Sequence, residues 1–210
     1  MLTAHEIRFG YFADRPIIDS FSDDFYPGEV VALTGPSGRG KSTLLYILGL
    51  MLRPDSGSVR LGEEPVSALS DGPRAAVRAA RFGFVFQDAA LDATRTVIDN
   101  VLEVALYRGL DADEWRDHAQ RLLADFGVDL DPWRRPGQVS GGQAQRIALV
   151  RALIGDPEFI LADEPTGNLD AATSDLVFTA LRARADAGAT VIVATHDPAF
   201  MVRCDRQVQL

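Results

Sequence analysis

Apolar and polar positions alternate at the start of the chain. Ile7, Phe9 and Tyr11 are separated by polar or small residues, the period of two that predicts a half-buried strand. Ile17 to Tyr26 reads as a second, weaker strand, and Pro27-Gly28 makes a turn into Glu29-Val30-Val31-Ala32-Leu33-Thr34, a short apolar run that predicts a buried strand. Helical spacing begins at Lys41, and the breakers Pro54-Asp55-Ser56-Gly57 are expected to close that helix. Phe82 to Phe86, Phe159 to Ala162 and Thr190 to Ala194 are further short apolar runs, the last two each following a helical stretch. Strands alternating with helices predict an α/β domain with a largely parallel sheet. Between Thr96 and Gly127 the period changes: Val97, Val101, Val104 and Ala105, then Trp115, Ala119, Leu122, Leu123 and Phe126, recur at helical spacing with no strand-like run between them. This predicts a helical lobe inserted over 96–137, with Asp129 to Gly137 as its return linker and 1–95 and 138–210 as the α/β part.

A chain of 210 residues with 24% charged and 47% hydrophobic residues has the composition of an ordinary globular protein. The formal net charge of −9 argues against nucleic acid as a partner. It does not argue against a phosphate ligand, because backbone N–H groups can hold an anion whatever the net charge. The lone cysteine, Cys204, allows no internal disulfide and reads as a small half-buried residue. No basic-then-apolar leader opens the chain, and the most apolar stretch, Tyr46 to Leu52, is far short of the roughly 20 residues that span a bilayer. The expectation is a cytoplasmic protein that reaches a membrane only through a partner.

The strongest chemical signal is Gly35-Pro36-Ser37-Gly38-Arg39-Gly40-Lys41-Ser42, followed by Thr43. It fits G-x-x-x-x-G-K-[ST] between a predicted strand and a predicted helix. Such a loop can turn successive N–H groups toward phosphate oxygens, with Lys41 supplying charge, Ser42 a hydroxyl for Mg²⁺, and the helix dipole adding to both. Phe159-Ile160-Leu161-Ala162-Asp163-Glu164 is an apolar strand that ends in two acids. Asp163 is expected to hold Mg²⁺ through water, and Glu164 to act as general base on the attacking water.

A third motif, Val139-Ser140-Gly141-Gly142-Gln143, leads into Ala144-Gln145-Arg146-Ile147-Ala148-Leu149-Val150-Arg151-Ala152-Leu153. Physically it is a second anion site, a serine and two glycines at a helix N-terminus. With the two motifs above it resembles the signature of the nucleotide-binding domain of ABC transporters, with Val139 in place of the usual leucine. The resemblance covers essentially the whole chain. It implies a P-loop NTPase core with an N-terminal antiparallel β subdomain and an inserted α-helical subdomain. It also implies ATP and Mg²⁺ as cofactors, and a head-to-tail pair with a second ATPase subunit, identical or different, in which each P-loop closes ATP against the other subunit's Ser140-Gly141-Gly142. A separate integral membrane permease would be the third component, placing the chain on the inner face of the cell membrane.

The resemblance assigns further roles one residue at a time. Gln87 matches the Q-loop glutamine, which touches Mg²⁺ or the attacking water and senses the membrane partner. His196 matches the switch histidine that contacts the γ-phosphate. Asn168-Leu169-Asp170 occupies the D-loop, and Tyr11 is the candidate for stacking on adenine. Pro165-Thr166-Gly167-Asn168-Leu169-Asp170 is similar to the form found in subunits of macrolide-export, lipoprotein-release, peptide-antibiotic-resistance and cell-division complexes. A soluble ABC-type ATPase of iron–sulfur cluster assembly would share every motif and is the alternative. A chromosome-organising ATPase would need long heptads between Ser42 and Ser140, and none are present. A translation factor would carry two such domains, and a pure binding module is disfavoured by Glu164.

Overall fold

The computed structural model describes residues 1–12, 14–167 and 169–210. Its centre is a five-stranded sheet built from β3 (Val30–Thr34), β5 (Phe82–Val85), β6 (Phe159–Asp163), β7 (Thr190–Ala194) and β8 (Arg206–Gln209). The order across it is β5-β6-β7-β3-β8, and every neighbouring pair is parallel. The inner strands β3, β6 and β7 are apolar almost throughout because both faces of the sheet are covered. Alternation along each strand sorts the side chains. Val30, Ile160, Ala162, Val191 and Val193 face α6 (Gly141–Leu153), α7 (Ala171–Asp186) and the helical lobe. Val31, Leu33, Leu161, Ile192 and Ala194 face α1 (Lys41–Leu48) and a second sheet.

That second sheet is antiparallel, in the order β2-β1-β4, from β1 (Leu2–Phe9), β2 (Ile18–Phe25) and β4 (Ser56–Leu61). Four features depart from the sequence reading. β1 runs from Leu2 to Phe9, and Tyr11 lies beyond it in a bend, so the predicted strand began too late and ran too far. α1 stops at Leu48, where Gly49 follows and Leu50 takes a left-handed φ of 62°, well before Pro54. Ser56-Gly57, read as breakers, open β4 instead. Gly57 holds φ 83°, and a Cβ there would collide with the His5 and Glu6 carbonyls of β1, so both the dihedral and the space require glycine. The helix α2 (Asp71–Arg81), which has no fully buried residue, was not foreseen.

The region expected to be helical contains α3 (Val97–Val101), α4 (Glu103–Arg108) and α5 (Ala112–Asp125). A capping box between Thr96 and Asp99 starts α3. Arg108, at the end of α4, donates to the carbonyls of Ala79, Ala80 and Gly155, which ties the lobe to α2 and to the end of α6. Arg151 of α6 does a similar job at the exit of β5, donating to Ala89 O and Ala90 O at 2.9 and 2.8 Å. Those two alanines hold left-handed φ values of 61° and 45°, a conformation that costs each about 1–2 kcal/mol. A short helix, α8 (Pro198–Met201), leads to the last strand. Cys204 is half-buried, its thiol directed at Phe200 O.

The last strand is fixed by charge as well as by its ladder to β3. Arg206 reaches Asp23 and Glu29, and Asp205 accepts from the Val30 N–H at 2.7 Å and from Arg182 at 2.6 Å. Burial pulls the Asp205 carboxyl upward, but these donors prevail and hold it below the ordinary carboxylate value. A depressed folded-state value means stability that is present above the ordinary range and lost as pH falls through the folded one. Asp205→Asn should therefore lower the melting temperature at pH 7, and the gap to wild type should close as melts are repeated toward pH 3. Arg151→Ala removes two charge-assisted bonds from strained backbone. It is expected to cost about 2–3 kcal/mol by urea denaturation and to speed amide exchange most around Phe86–Ala90.

Candidate functional site

The loop from Gly35 to Gly40 leaves the carboxyl end of β3 and enters α1 at Lys41. Two of its glycines are required by space as well as by dihedral. Gly35 has φ 131° with a would-be Cβ 2.7 Å from Leu210 O, and Gly40 has φ 93° with one 2.6 Å from Ile17 Cγ2. Pro36, Ser37, Gly38 and Arg39 are exposed, and the Cβ position at Gly38 meets nothing within 4 Å, so the loop has an open side. Lys41 is only 9% exposed, and its Nζ donates to Gly35 O at 2.8 Å and Pro36 O at 3.2 Å. The ammonium thus sits inside the curl of the loop, where an anion would also lie. Tyr11, 57% exposed and edge-on to Phe9, brings its hydroxyl to 3.5 Å from Thr43 Oγ1, so the structure does bring it beside this loop.

The parallel pairing of β6 with β7 sets Asp163 opposite Ala194 and brings both strand ends level. Asp163 is 4% exposed and accepts from Ser42 Oγ at 3.0 Å and from Tyr46 Oη at 3.3 Å. Burial raises its carboxyl above the usual range, against the lowering effect of those two hydroxyls. Burial, followed by the charge of Asp163, pushes the Tyr46 phenol up to about 12. Tyr46 was not singled out in the sequence, although its place one helical turn after Ser42 is the signal that could have found it. Glu164 follows with a left-handed φ of 46°, strain of the kind that collects at functional sites. Its N–H is tied to Ala194 O at 2.8 Å. Its Oε1 lies 2.7 Å from His196 Nδ1. A carboxylate can only accept, so this contact selects the Nδ1–H form of the ring. The His196 side chain is 77% exposed and that of Glu164 16%, so the pair stands at the mouth of the site.

Lys41, Ser42, Asp163, Glu164 and His196 thus cluster at the carboxyl ends of three adjacent strands. Among the described residues Gln87, Ser140, Gly141, Gly142, Gln143 and Asp170 make no hydrogen bond to this cluster. Gln87 is exposed in the turn after β5, and the adjacent Phe86 carbonyl accepts from Gln145 Nε2. Ser140 caps α6: its Oγ accepts from Gln143 N, and Gln143 Oε1 accepts from Ser140 N. Gly141 and Gly142 leave the turn bare, with Leu169 the nearest neighbour of a Cβ at Gly142, at 3.8 Å. Asp170 caps α7 by accepting from Thr173, whose N–H and hydroxyl hold its carboxyl below the usual range. Asn168, also expected in this loop, lies outside the described residues. Among the described residues no hydrogen bond joins the Ser140 turn to the Gly35–Lys41 loop.

The donor set suits a nucleotide with a hard cation. The bare, left-handed glycines leave room for phosphate against the backbone. A serine hydroxyl and a carboxylate are oxygen ligands of the kind Mg²⁺ takes while keeping most of its waters. Among the described residues no cluster of three or more His, Cys, Asp or Glu is arranged for a metal, which leaves Ser42 and Asp163 as the oxygen pair at this site.

Comparison with known proteins agrees with this geometry. The family model described as ABC transporter matches residues 18–167. A macrolide export ATP-binding/permease protein of Paracoccus denitrificans is 46% identical over 187 residues, 89% of this chain but 28% of that protein, so this chain spans under a third of it. A lipoprotein-releasing system ATP-binding protein of Nitrobacter winogradskyi is 43% identical over 210 residues, covering 98% of this chain and 90% of its own. One from Granulibacter bethesdensis is 41% identical over 195 residues, covering 92% and 85%. Among solved structures, the dimeric cassette MJ0796 of a bacterial ABC transporter superposes with a TM-score of 0.92 at 31% identity, over 100% of this chain and 94% of that one. The same cassette in a post-hydrolysis state with ADP and Pi superposes equally well. These relatives bear out the resemblance to the macrolide-export and lipoprotein-release type and give no support to the cluster-assembly alternative. The chain belongs to the ABC transporter family, as an ATP-binding and ATP-hydrolysing subunit.

Proposed function

We propose that this ATPase works as one half of a closed pair with Mg-ATP at each seam, and that it drives a separate membrane subunit in lipoprotein release or macrolide export. The observation that carries the reading is the convergence of Lys41, Ser42, Asp163 and the Glu164–His196 pair around one phosphate-sized loop. Gly35 to Thr43 bind the triphosphate, and Tyr11, on the rim, covers the adenine. Ser42 and Asp163 would hold Mg²⁺, with Gln87 as a further candidate to touch the cation or the attacking water. When bound, the cation would neutralise phosphate charge and align the γ-phosphate for in-line attack. Glu164 takes a proton from the attacking water, and its short contact to His196 fixes its orientation. Lys41 and His196 stabilise charge on the phosphoryl oxygens. Ser140, Gly141, Gly142 and Gln143, together with Asp170, meet the other subunit's nucleotide. The capped helix end with bare glycines supports this. Dimeric MJ0796 and the relatives' names support the pairing and the branch.

The groove of about 740 Å³ between α2, β5 and α4 is proposed as the seat for the membrane subunit. Phe84, Phe86, Val104 and Tyr107 give it apolar walls, and it lies next to Gln87. The unit 96–137 would then move as a lever, with Arg108 as its tether. Among the described residues no helix is long and apolar enough to cross a membrane, so the reading requires a partner for attachment.

Glu164→Gln tests the mechanism and the partner together. ATP turnover is expected to fall by about 100-fold or more, while ATP-dependent pairing becomes stable enough to see by size exclusion. Tagged Glu164→Gln captured with Mg-ATP should bring down an integral membrane protein, identified by mass spectrometry. Wild-type turnover by the variant would remove Glu164 as the base. Recovery of soluble partners alone, in repeated trials, would remove the membrane-complex reading.

A further inference from the structure

Ser42 and Tyr46 lie four residues apart on α1, so their side chains leave the helix on one face. Both end at Asp163, but at different atoms: Ser42 donates to Oδ1 at 3.0 Å and Tyr46 to Oδ2 at 3.3 Å. With one hydroxyl on each oxygen, rotation of the carboxylate would break both bonds. The residue is 4% exposed, so bulk water is poorly placed to replace either donor. The Tyr46 ring is itself anchored. It leans on Phe86 with centroids 6.3 Å apart, Phe86 stacks on Phe84 at 5.9 Å, and the Arg151 guanidinium sits 5.9 Å from the Phe86 ring. At the other end of the residue, Tyr46 O accepts from the N–H groups of Met51 and Leu52 and closes the turn after α1. A phenyl ring would make every one of these packing contacts. The hydroxyl is needed only for Asp163.

We propose that Tyr46 is a positioning residue for the metal-facing carboxylate: its hydroxyl holds Oδ2 so that Oδ1 stays turned toward Ser42. The proposal rests on the assignment of Ser42 and Asp163 to Mg²⁺ made above. Without the clamp, Asp163 gains rotational freedom about its terminal bond, and that freedom must be lost each time the cation is held. The nucleotide itself is gripped by the glycine loop, so the effect belongs to the Mg²⁺-dependent part of binding.

The test compares wild type, Tyr46→Phe, Tyr46→Leu and Asp163→Asn in two measurements on the purified chain. One titrates Mg²⁺ into protein with a fluorescent ATP analogue. The other takes the difference in melting temperature between Mg-ADP and ADP with EDTA, which subtracts any general loss of stability. Tyr46→Phe should need about fivefold more Mg²⁺ for the half-maximal response, the worth of one hydrogen bond. Its Mg²⁺-dependent gain in melting temperature should shrink, and Asp163→Asn should shift further in both. If Tyr46→Phe superimposes on wild type while Asp163→Asn is shifted, the role of Tyr46 falls and the Mg²⁺ assignment stands. A shift in Tyr46→Leu that is missing from Tyr46→Phe would assign the effect to ring packing and overturn the proposal. If Asp163→Asn also superimposes on wild type, the metal assignment falls and takes the proposal with it.

Discussion

The site depends on one constraint above all, the in-register parallel pairing of β6, β7 and β3. Leu33 and Asp163 both sit beside Ala194, so three strands end at one level. The chain that leaves them is held there by backbone bonds, Glu164 N–H to Ala194 O and Thr195 N–H to Leu33 O. A phosphate loop, an acid pair and a histidine are thereby set side by side although they are far apart in sequence. Crevices at the carboxyl ends of parallel strands are where open α/β sheets bind ligands generally. Here the register supplies the alignment, and the side chains need only reach across it.

Much of this was legible in the sequence because the signals were local and strong. β3, β6 and β7 are buried on both faces and read as continuous apolar runs, and the loop after β3 could be recognised from glycine spacing alone. What escaped notice depended on contacts between distant segments. β4 opens with Ser56-Gly57, which looks like a breaker until β1 is seen crowding Gly57 too closely for any side chain. α2 has an apolar side made only of Val77 and four alanines, none of them buried, which is too small a stripe to advertise it. Tyr46 opens the most apolar stretch of the chain, and nothing local sets it apart from its neighbours. Its meaning appears only when Asp163, from a strand late in the chain, arrives beneath it. Tyr11 was placed in the correct neighbourhood but in the wrong element, because the alternation that suggested a strand runs on past the last ladder bond.

Electrostatics here are local. The net charge of −9 does not set what a phosphate at this loop would meet. The attraction comes from one nearly buried lysine, a helix end and oriented N–H groups. The same economy recurs away from the site. Arg108 and Arg151 each satisfy carbonyls that no ladder or helix pairs, and these two residues join the lobe and the β5 exit to the rest of the molecule. Arginine serves here mainly as a rigid multi-donor, and it keeps its charge even where burial lowers its proton affinity, as at Arg151.

The position of β3 in the sheet bears on how the protein emerges from the ribosome. Its neighbours are β7 and β8, which begin at Thr190 and Arg206, so the strand that carries the phosphate loop has no sheet partner until synthesis has passed β7. The antiparallel sheet and the helices of the lobe draw on earlier segments and can form ahead of it. Nucleotide-binding competence is then acquired only once β7 is available, after a period in which an apolar strand edge stands open to wrong partners. Nascent chains stalled short of β7 would be the ones most in need of a chaperone.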